Sequence, residues 1–219
     1  HSDENGQFTL ELPAGASASL LARDSRYVGP WIHFSLATDE AEPARLIKAG
    51  TIVGVVTDKD GNPKAGVHLG AQILDHGVGG GWGETFTDES GRYRIEGLEP
   101  GVYNVIHMNP KGAMVAEAVE AVRVWPEEEA IADLQILKGR RVRGRLVLEG
   151  SNEPIEGVPV GYYGAARPRS GAAVMSRQTD ANGEFVFHRP PGEAYFYIMR
   201  MGYQGGNARE TIQIAEDTD

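Results

Sequence analysis

The chain contains no cysteine, so it can form neither a disulfide nor a thiolate centre. Its 219 residues include no run of 18 apolar residues, and the first residues lack the charged-then-apolar pattern of an export leader. We therefore expect no membrane insertion by this segment, and any signal or anchor would lie outside it. The net charge of -10 leaves no broad basic surface for a phosphate backbone, so we also expect no nucleic-acid partner.

Motifs that support catalysis are missing as well. The sequence has no GxSxG elbow, no GxxxxGK[ST] loop and no HExxH pair, and the glycine run at 77–83 lacks both the lysine and the helix of a phosphate loop. Acyl or glycosyl transfer needs a nucleophile, a base and an orienting group, and no such set is visible. We predict that the chain is not an enzyme and that it carries no catalytic residue, no cofactor and no metal site.

One short pattern occurs three times. An Asp precedes a Gly by three residues and an aromatic follows the Gly by two: Asp3, Gly6, Phe8; Asp88, Gly91, Tyr93; Asp180, Gly183, Phe185. Each copy predicts a tight turn, closed by a glycine with positive φ, that leads into a half-buried strand. The Asp positions lie 85 and 92 residues apart, a spacing that suits one small domain rather than a solenoid repeat.

A second pattern precedes the last two copies. Residues 50–71 align with 139–162, with Gly54 over Gly144, Pro63 over Pro154 and Gly66 over Gly157. Both stretches predict hairpins. Residues 52, 54 and 56 should face the core, and Arg141, Arg143 and Arg145 should face outward, where we expect them to pair with acidic groups across the strand.

Together the two patterns resemble the carboxypeptidase regulatory-like domain. The match at repeat two covers Ile52, Gly54, Val56, Asp58, Gly61, Pro63, Gly66, Leu69, Thr87, Asp88, Gly91, Tyr93, Leu98, Pro100, Gly101 and Tyr103. The resemblance implies an all-β chain of tandem transthyretin-like (prealbumin-like) Greek-key β-sandwiches. It identifies a fold and leaves the activity open, because this sandwich occurs in many unrelated proteins.

The repeats divide the chain into three parts. Residues 1–48 are the C-terminal part of a first sandwich, 50–137 a complete second repeat, and 139–219 a third repeat that lacks its last strand. In the first part we predict strands at 8–12, 17–22, 31–36 and 44–47. We interpret 113–124 as strand because its apolar residues do not follow a clean helical period. Pro100 and Gly101 predict a type II turn, and the short junctions at 49–50 and 138–139 predict a rigid rod.

Two loops are candidate ligand sites. Trp82 ends a glycine-rich stretch and could stack on a sugar, although a Trp folded back on the sandwich is the simpler interpretation. The corresponding loop of repeat three offers Tyr163, Arg167 and Arg169 to an anionic group.

Other residues have plainer explanations. Asp58, Asp60 and Asn62 resemble the start of a calcium loop, but a hairpin turn accounts for them. His107 should be a hydrogen-bonded residue at the edge of the core. Lys48 and Asn104 would be the pair to form the isopeptide bond found in CnaB-like relatives of this architecture, but the acid that this reaction needs is not identifiable.

We interpret the chain as a non-catalytic structural and interaction spacer of a longer extracytoplasmic bacterial protein, with the location taken from the family resemblance. Its partners would be the neighbouring domains, with polysaccharide or another envelope protein as further options. Two alternatives remain open. One is a carbohydrate-binding module, and the other is the accessory region of a membrane-bound or secreted peptidase.

Overall fold

The computed structural model describes residues 3–4, 6–9, 11, 18–34, 45–74, 81–108, 113–163, 175–189 and 195–198. Every regular element in this part of the chain is a β-strand. The all-β prediction is therefore confirmed, and it includes the stretch 113–124, which forms two strands rather than a helix. The strands fall into an N-terminal sheet, a central sandwich and a pair of C-terminal sheets.

The N-terminal sheet has three antiparallel strands: β1 (Ala18–Arg23), β2 (Tyr27–Phe34) and β3 (Ile47–Lys48). The predicted strand at 8–12 is wrong at its described positions, because residues 8, 9 and 11 belong to no strand and Phe8 is 43% exposed. Strand β2 also begins earlier than predicted. A tight turn causes this, since the Asp24 amide donates to the Tyr27 carbonyl at 2.9 Å.

The central sandwich is built from nine strands. They are β4 (Gly50–Asp58), β5 (His68–Ile73), β6 (Trp82–Phe86), β7 (Arg92–Leu98), β8 (Gly101–His107), β9 (Met114–Ala116), β10 (Val119–Val124), β11 (Glu129–Ile131) and β12 (Leu134–Lys138). One sheet has the order β10-β8-β5-β6. In the other, β4 pairs with β7 on one edge and with β11 and β12 on the other, and β9 follows β12.

The core of the sandwich lies between these two sheets. Ile52, Val56, Leu69, Leu98 and Tyr103 are all fully buried there. Val56 has half-buried neighbours on both sides, as the period-2 pattern predicts, whereas Ile52 follows Thr51, which is also buried. Burial of such side chains contributes roughly 1.5–3 kcal/mol each, so this cluster supplies much of the folding free energy.

The type II turn predicted at Pro100 and Gly101 is wrong. Gly101 is not among the described glycines with positive φ, whereas Gly97 is, at +66°. Gly101 already belongs to strand β8, and a Cβ there would lie 2.8 Å from the Cδ1 atom of Ile73. The chain therefore needs a glycine at this position for close packing rather than for backbone conformation.

The C-terminal sheets contain β13 (Arg140–Arg145) paired with β16 (Glu184–Arg189), and β14 (Pro159–Tyr163) between β15 (Met175–Gln178) and β17 (Tyr195–Ile198). Their core includes the rings of Phe185, Phe187 and Phe196, with centroids 5.7–6.2 Å apart. Strand β14 has a neighbour on each side, as β5 has in the central sandwich.

The predicted Asp-turns form in all three places. In each, the glycine amide donates to the Asp carbonyl, and φ at the glycine is positive: Gly6 +77°, Gly91 +71°, Gly183 +74°. The Asp carboxylate also accepts a main-chain amide four residues later, at 2.8 Å in each copy. Local sequence thus determines these turns, because every partner lies within four residues.

Candidate functional site

The junction between the N-terminal sheet and the central sandwich is held by main-chain bonds on both sides of Ala49. Its amide donates to the carbonyl of Arg26, and its carbonyl accepts from the amide of Glu127, both at 2.8 Å. Gly50 then lies so close to the turn after β10 that a Cβ would be 2.3 Å from the carbonyl oxygen of Trp125. The connection therefore has no room for a side chain at position 50.

Charged side chains surround the same junction. The Lys48 ammonium lies 2.8 Å from the Glu127 carboxylate and 5.1 Å above the centre of the Tyr27 ring. A cavity of about 300 Å³ opens beside them, lined also by Arg94 and Glu96. The Glu127 carboxylate raises the pKa of Lys48. Because both partners are largely exposed, this ion pair contributes little to stability and serves mainly to orient the two sheets.

Glu127 has an unusual backbone conformation for this position. Its φ is +60°, a left-handed value that glycine adopts without cost and other residues adopt at roughly 1–2 kcal/mol. It follows Pro126, and the amide of Glu128 points back to the carbonyl of Trp125 at 3.4 Å. A glycine would adopt this conformation without strain, so Glu127 occupies the turn at an energetic cost.

The second junction has the same construction. The amide of Gly139 donates to the carbonyl of Ala113 at 2.6 Å. A Cβ on Gly139 would lie 2.8 Å from a methyl carbon of Val115 and 3.1 Å from the amide nitrogen of Arg189. The last strand of the sandwich and the first strand of the C-terminal sheets thus meet in tight packing, with only Gly139 between β12 and β13.

Trp82 lies at the start of edge strand β6, and its ring packs over Gly70 of strand β5. A Cβ on Gly70 would lie 2.7 Å from the Cη2 atom of the indole. In the sheet, Gln72 lies between Trp82 on one neighbouring strand and Asn104 on the other. Gln72 and Asn104 are almost completely buried. The ring therefore lies on the outer face of the sandwich, half-buried and outside the core cluster.

The structure places the other candidate ligand residues only in part. Tyr163 is the last residue of β14 and is opposite Tyr195 in β17. Arg167 and Arg169 lie outside the described residues. The strands that precede the two predicted loops, β5 and β14, each pair with a strand on both sides.

His107 faces the core, opposite Leu69, but the hydrogen bonding predicted for it is missing at one ring nitrogen. Its Nδ1 atom is buried without a partner among the described residues. Burial, together with the nearby His68, lowers the pKa of His107 to about 4. His68 lies instead on the outer face, stacked on Phe86 at 4.3 Å, with Nε2 3.2 Å from Glu84. The described residues contain no group of three or more potential metal ligands.

The turn at Asp58 behaves as a hairpin turn. Its carboxylate accepts the amides of Asp60 and Asn62 at 3.0 and 2.9 Å, and the Lys64 ammonium lies 2.8 Å away. Hydrogen bonding from Lys64 and Asn62 lowers the pKa of Asp58. The Asp58 carboxylate therefore already accepts hydrogen bonds from donors in its own turn.

Lys48 and Asn104, considered as an isopeptide pair, have different partners in the structure. The Lys48 ammonium pairs with Glu127, while the Asn104 side-chain oxygen accepts from the amide of Ala121 at 3.2 Å. Trp125, which is 52% exposed beneath the guanidinium of Arg123, is not among the site residues predicted from the sequence. Its position directly after β10 and before a Pro, where a strand ends and a turn begins, could have indicated it from the sequence.

No helix in the described part of the chain is long and apolar enough to cross a membrane. No curated protein matches the chain significantly. Among solved structures the chain is similar to the Bacillus anthracis TIE protein (12% identity, TM-score 0.35, 84% of this chain and 36% of the other). It is also similar to a streptococcal ancillary pilin (14% identity, TM-score 0.30, 80% of this chain and 62% of the other). A third similar structure is GBS52, the minor pilin of Streptococcus agalactiae (15% identity, TM-score 0.31, 77% of this chain and 91% of the other).

The chain thus spans 36% and 62% of the first two of these structures. The family comparison is more specific, because the carboxypeptidase regulatory-like domain model matches residues 51–130. This range covers strands β4 to β10 and most of β11, and it includes the turns at Asp58 and Asp88 on which the resemblance depended. Over residues 51–130 the chain is therefore similar to the carboxypeptidase regulatory-like domain.

Proposed function

We propose that the chain is a non-catalytic structural spacer that holds successive β-sandwiches in a fixed orientation within a longer extracellular bacterial protein. In this proposal residues 1–48, 50–137 and 139–219 are successive modules of one tandem array. The observation that carries the proposal is the close contact at both junctions. Ala49 is hydrogen-bonded to Arg26 of the N-terminal sheet and to Glu127 of the central sandwich, and a Cβ on Gly139 would come within 3 Å of Val115 in the preceding sandwich. A flexible tether would not need such contacts.

The proposal is tested by loosening the junctions. A four-residue Gly-Ser insertion after Ala49, after Lys138, or after both should broaden the distance distribution measured by small-angle X-ray scattering, because the main-chain bonds at each junction could no longer form. A matched control carries the same insertion in the loop at 75–80, which connects strands of a single sheet. If the parent chain already shows the broad distribution of the junction variants, the spacer proposal is wrong.

A second candidate is carbohydrate binding, supported by the position of Trp82. An indole that packs over a glycine of the sheet and is only half-buried can offer its exposed part to the apolar face of a sugar. In the C-terminal sheets Tyr163, Arg167 and Arg169 would be the corresponding site for acidic glycans. Trp82→Ala should abolish retention on a cognate glycan in an array while leaving the melting temperature unchanged. Trp125→Ala is the control, since it removes another exposed indole.

A further inference from the structure

The outer face of strand β13 carries three arginines in a row, Arg141, Arg143 and Arg145, which we call the arginine ladder. All three are exposed, while Val142 and Gly144 between them are buried. Alternate residues of a strand lie about 6.6–6.8 Å apart. The ladder therefore places three arginines at alternate positions along one exposed face of the strand.

We expected the ladder to pair with acidic groups across the strand, and the residue directly opposite is an acid at one of the three positions. In strand β16, Arg141 is opposite His188 and Arg143 is opposite Val186. Only Arg145 is opposite an acid, Glu184, and its Nε donates instead to the carbonyl of Asn182 at 2.9 Å. Within the part of the chain that the structure describes, Arg143 has no salt bridge.

The fold does not require charge at these positions. Gly144 is opposite Phe185, as Gly54 is opposite Tyr93, so the two pairs of strands have the same register. The ladder positions then correspond to Thr51, Val53 and Val55 in strand β4, which are uncharged. The central domain forms the same pairing without arginine, which means that the ladder is a property of the C-terminal sheets and not of the architecture.

Three guanidinium groups in a row carry an energetic cost. Like charges at neighbouring positions on one face of a strand repel each other even in water. A ligand with a regular series of anions would offset this repulsion, and the planar fork of arginine matches a carboxylate with two hydrogen bonds. Lysine would supply the charge without that geometry.

We propose that the arginine ladder binds a linear, carboxylate-bearing polysaccharide laid along strand β13. The charge of the whole chain favours this partner over a nucleic acid. With 31 acidic against 21 basic residues, the surroundings of the ladder would repel a densely charged phosphate backbone more than a polymer with widely spaced carboxylates. The proposal does not depend on the spacer function, and it uses residues other than Trp82.

The test uses the complete chain and polygalacturonate as the probe, with neutral dextran beside it, in affinity electrophoresis at low and high NaCl. The ladder variant is Arg141→Gln, Arg143→Gln and Arg145→Gln together. The control variant is Lys59→Gln, Arg92→Gln and Arg123→Gln, which changes the net charge by the same amount at other exposed positions. Circular dichroism confirms that both variants fold.

We expect the ladder variant to bind polygalacturonate at least about tenfold more weakly, and the control to change by less than about threefold, because only the ladder presents aligned guanidinium forks. Affinity of the parent chain should fall with salt, and Arg143→Lys should lie between parent and Arg143→Gln. Equal losses in both triple variants, or no binding of polygalacturonate at low salt, would overturn the proposal. Tighter, ladder-dependent binding of a single-stranded oligonucleotide would overturn the polysaccharide assignment.

Discussion

The side-chain oxygen of Asn104 accepts a hydrogen bond from the amide of Ala121 at 3.2 Å, across strands β8 and β10. Ala121 has a φ of +57°, and the register of the two strands shifts between Val119 and Val122. The extra residue of this bulge leaves its amide without a partner in the ladder of the sheet. The buried side chain of Asn104 supplies that partner.

This relationship predicts opposite effects at the two positions. Ala121→Gly should stabilise the chain by about 0.5–1 kcal/mol, because glycine adopts positive φ without strain. Asn104→Ala should destabilise it by about 1–3 kcal/mol, because a main-chain amide then loses its acceptor. Urea unfolding of both variants measures the two effects. A loss of stability in Ala121→Gly would mean that the left-handed conformation is not strained.

A second prediction concerns the hydroxyl of Thr87, which donates to the carbonyl of Lys64 at 2.6 Å and accepts from the amide of Val67 at 2.9 Å. Thr179 forms the same two bonds, with Ile155 and Val158. Thr87→Val or Thr179→Val keeps the shape but leaves both main-chain groups unpaired. Each should cost about 1–3 kcal/mol in urea unfolding.

Serine is the control for this pair, since Thr87→Ser and Thr179→Ser keep the hydroxyl. Because the bonds are the same in both places, the two valine variants should also resemble each other in cost. A valine variant as stable as its serine counterpart would show that the hydroxyl bonds do not hold the hairpin to the following strand.

A third prediction concerns the core of the central domain. Leu98 is fully buried, so Leu98→Ala should lower the free energy of unfolding by about 2–5 kcal/mol through lost transfer free energy and the cavity left behind. Ile131→Ala is the control, because Ile131 is 74% exposed and should change stability by less than about 0.5 kcal/mol. A loss below about 1 kcal/mol for Leu98→Ala would mean that the site collapses around the smaller residue.

A fourth prediction is the pH dependence that His107 produces. Its pKa is about 4 in the folded chain and near 6.5 in the unfolded one. Between these values the unfolded state binds more protons, so the free energy of unfolding should fall as the pH drops from 6.5 to 4, by an amount on the order of 1–3 kcal/mol. In urea unfolding measured between pH 4 and 6.5, His107→Leu should reduce the dependence of the free energy of unfolding on pH. An unchanged dependence would mean that groups other than His107 produce it.

A fifth prediction follows from the contact between Gly70 and Trp82. In Gly70→Ala the new methyl would occupy space taken by the indole, so the ring must move away from the sheet. The fluorescence of Trp82 should shift to the red as it becomes more exposed. Gly61→Ala is a useful comparison, because Gly61 has open space around it and is strained only through its positive φ. An unchanged spectrum in Gly70→Ala would mean that the ring does not pack on the glycine.

The sequence by itself determined the features whose partners lie close along the chain. The Asp-turns at Asp3, Asp88 and Asp180 depend on bonds within four residues, and the alternation of residues 52–56 depends only on strand geometry. Family resemblance then identified the central domain, because glycines and prolines at its turns have conformational requirements that few other residues meet.

Tertiary structure decided the features whose partners lie far apart in sequence. Gly101 is needed because Ile73 packs against it, Glu127 has a strained conformation beside Lys48, and Arg143 is opposite Val186 rather than an acid. Composition and periodicity give the face on which a side chain lies, but not the residue opposite it. That neighbour is set by strand register and sheet order, which depend on the packing of the whole core.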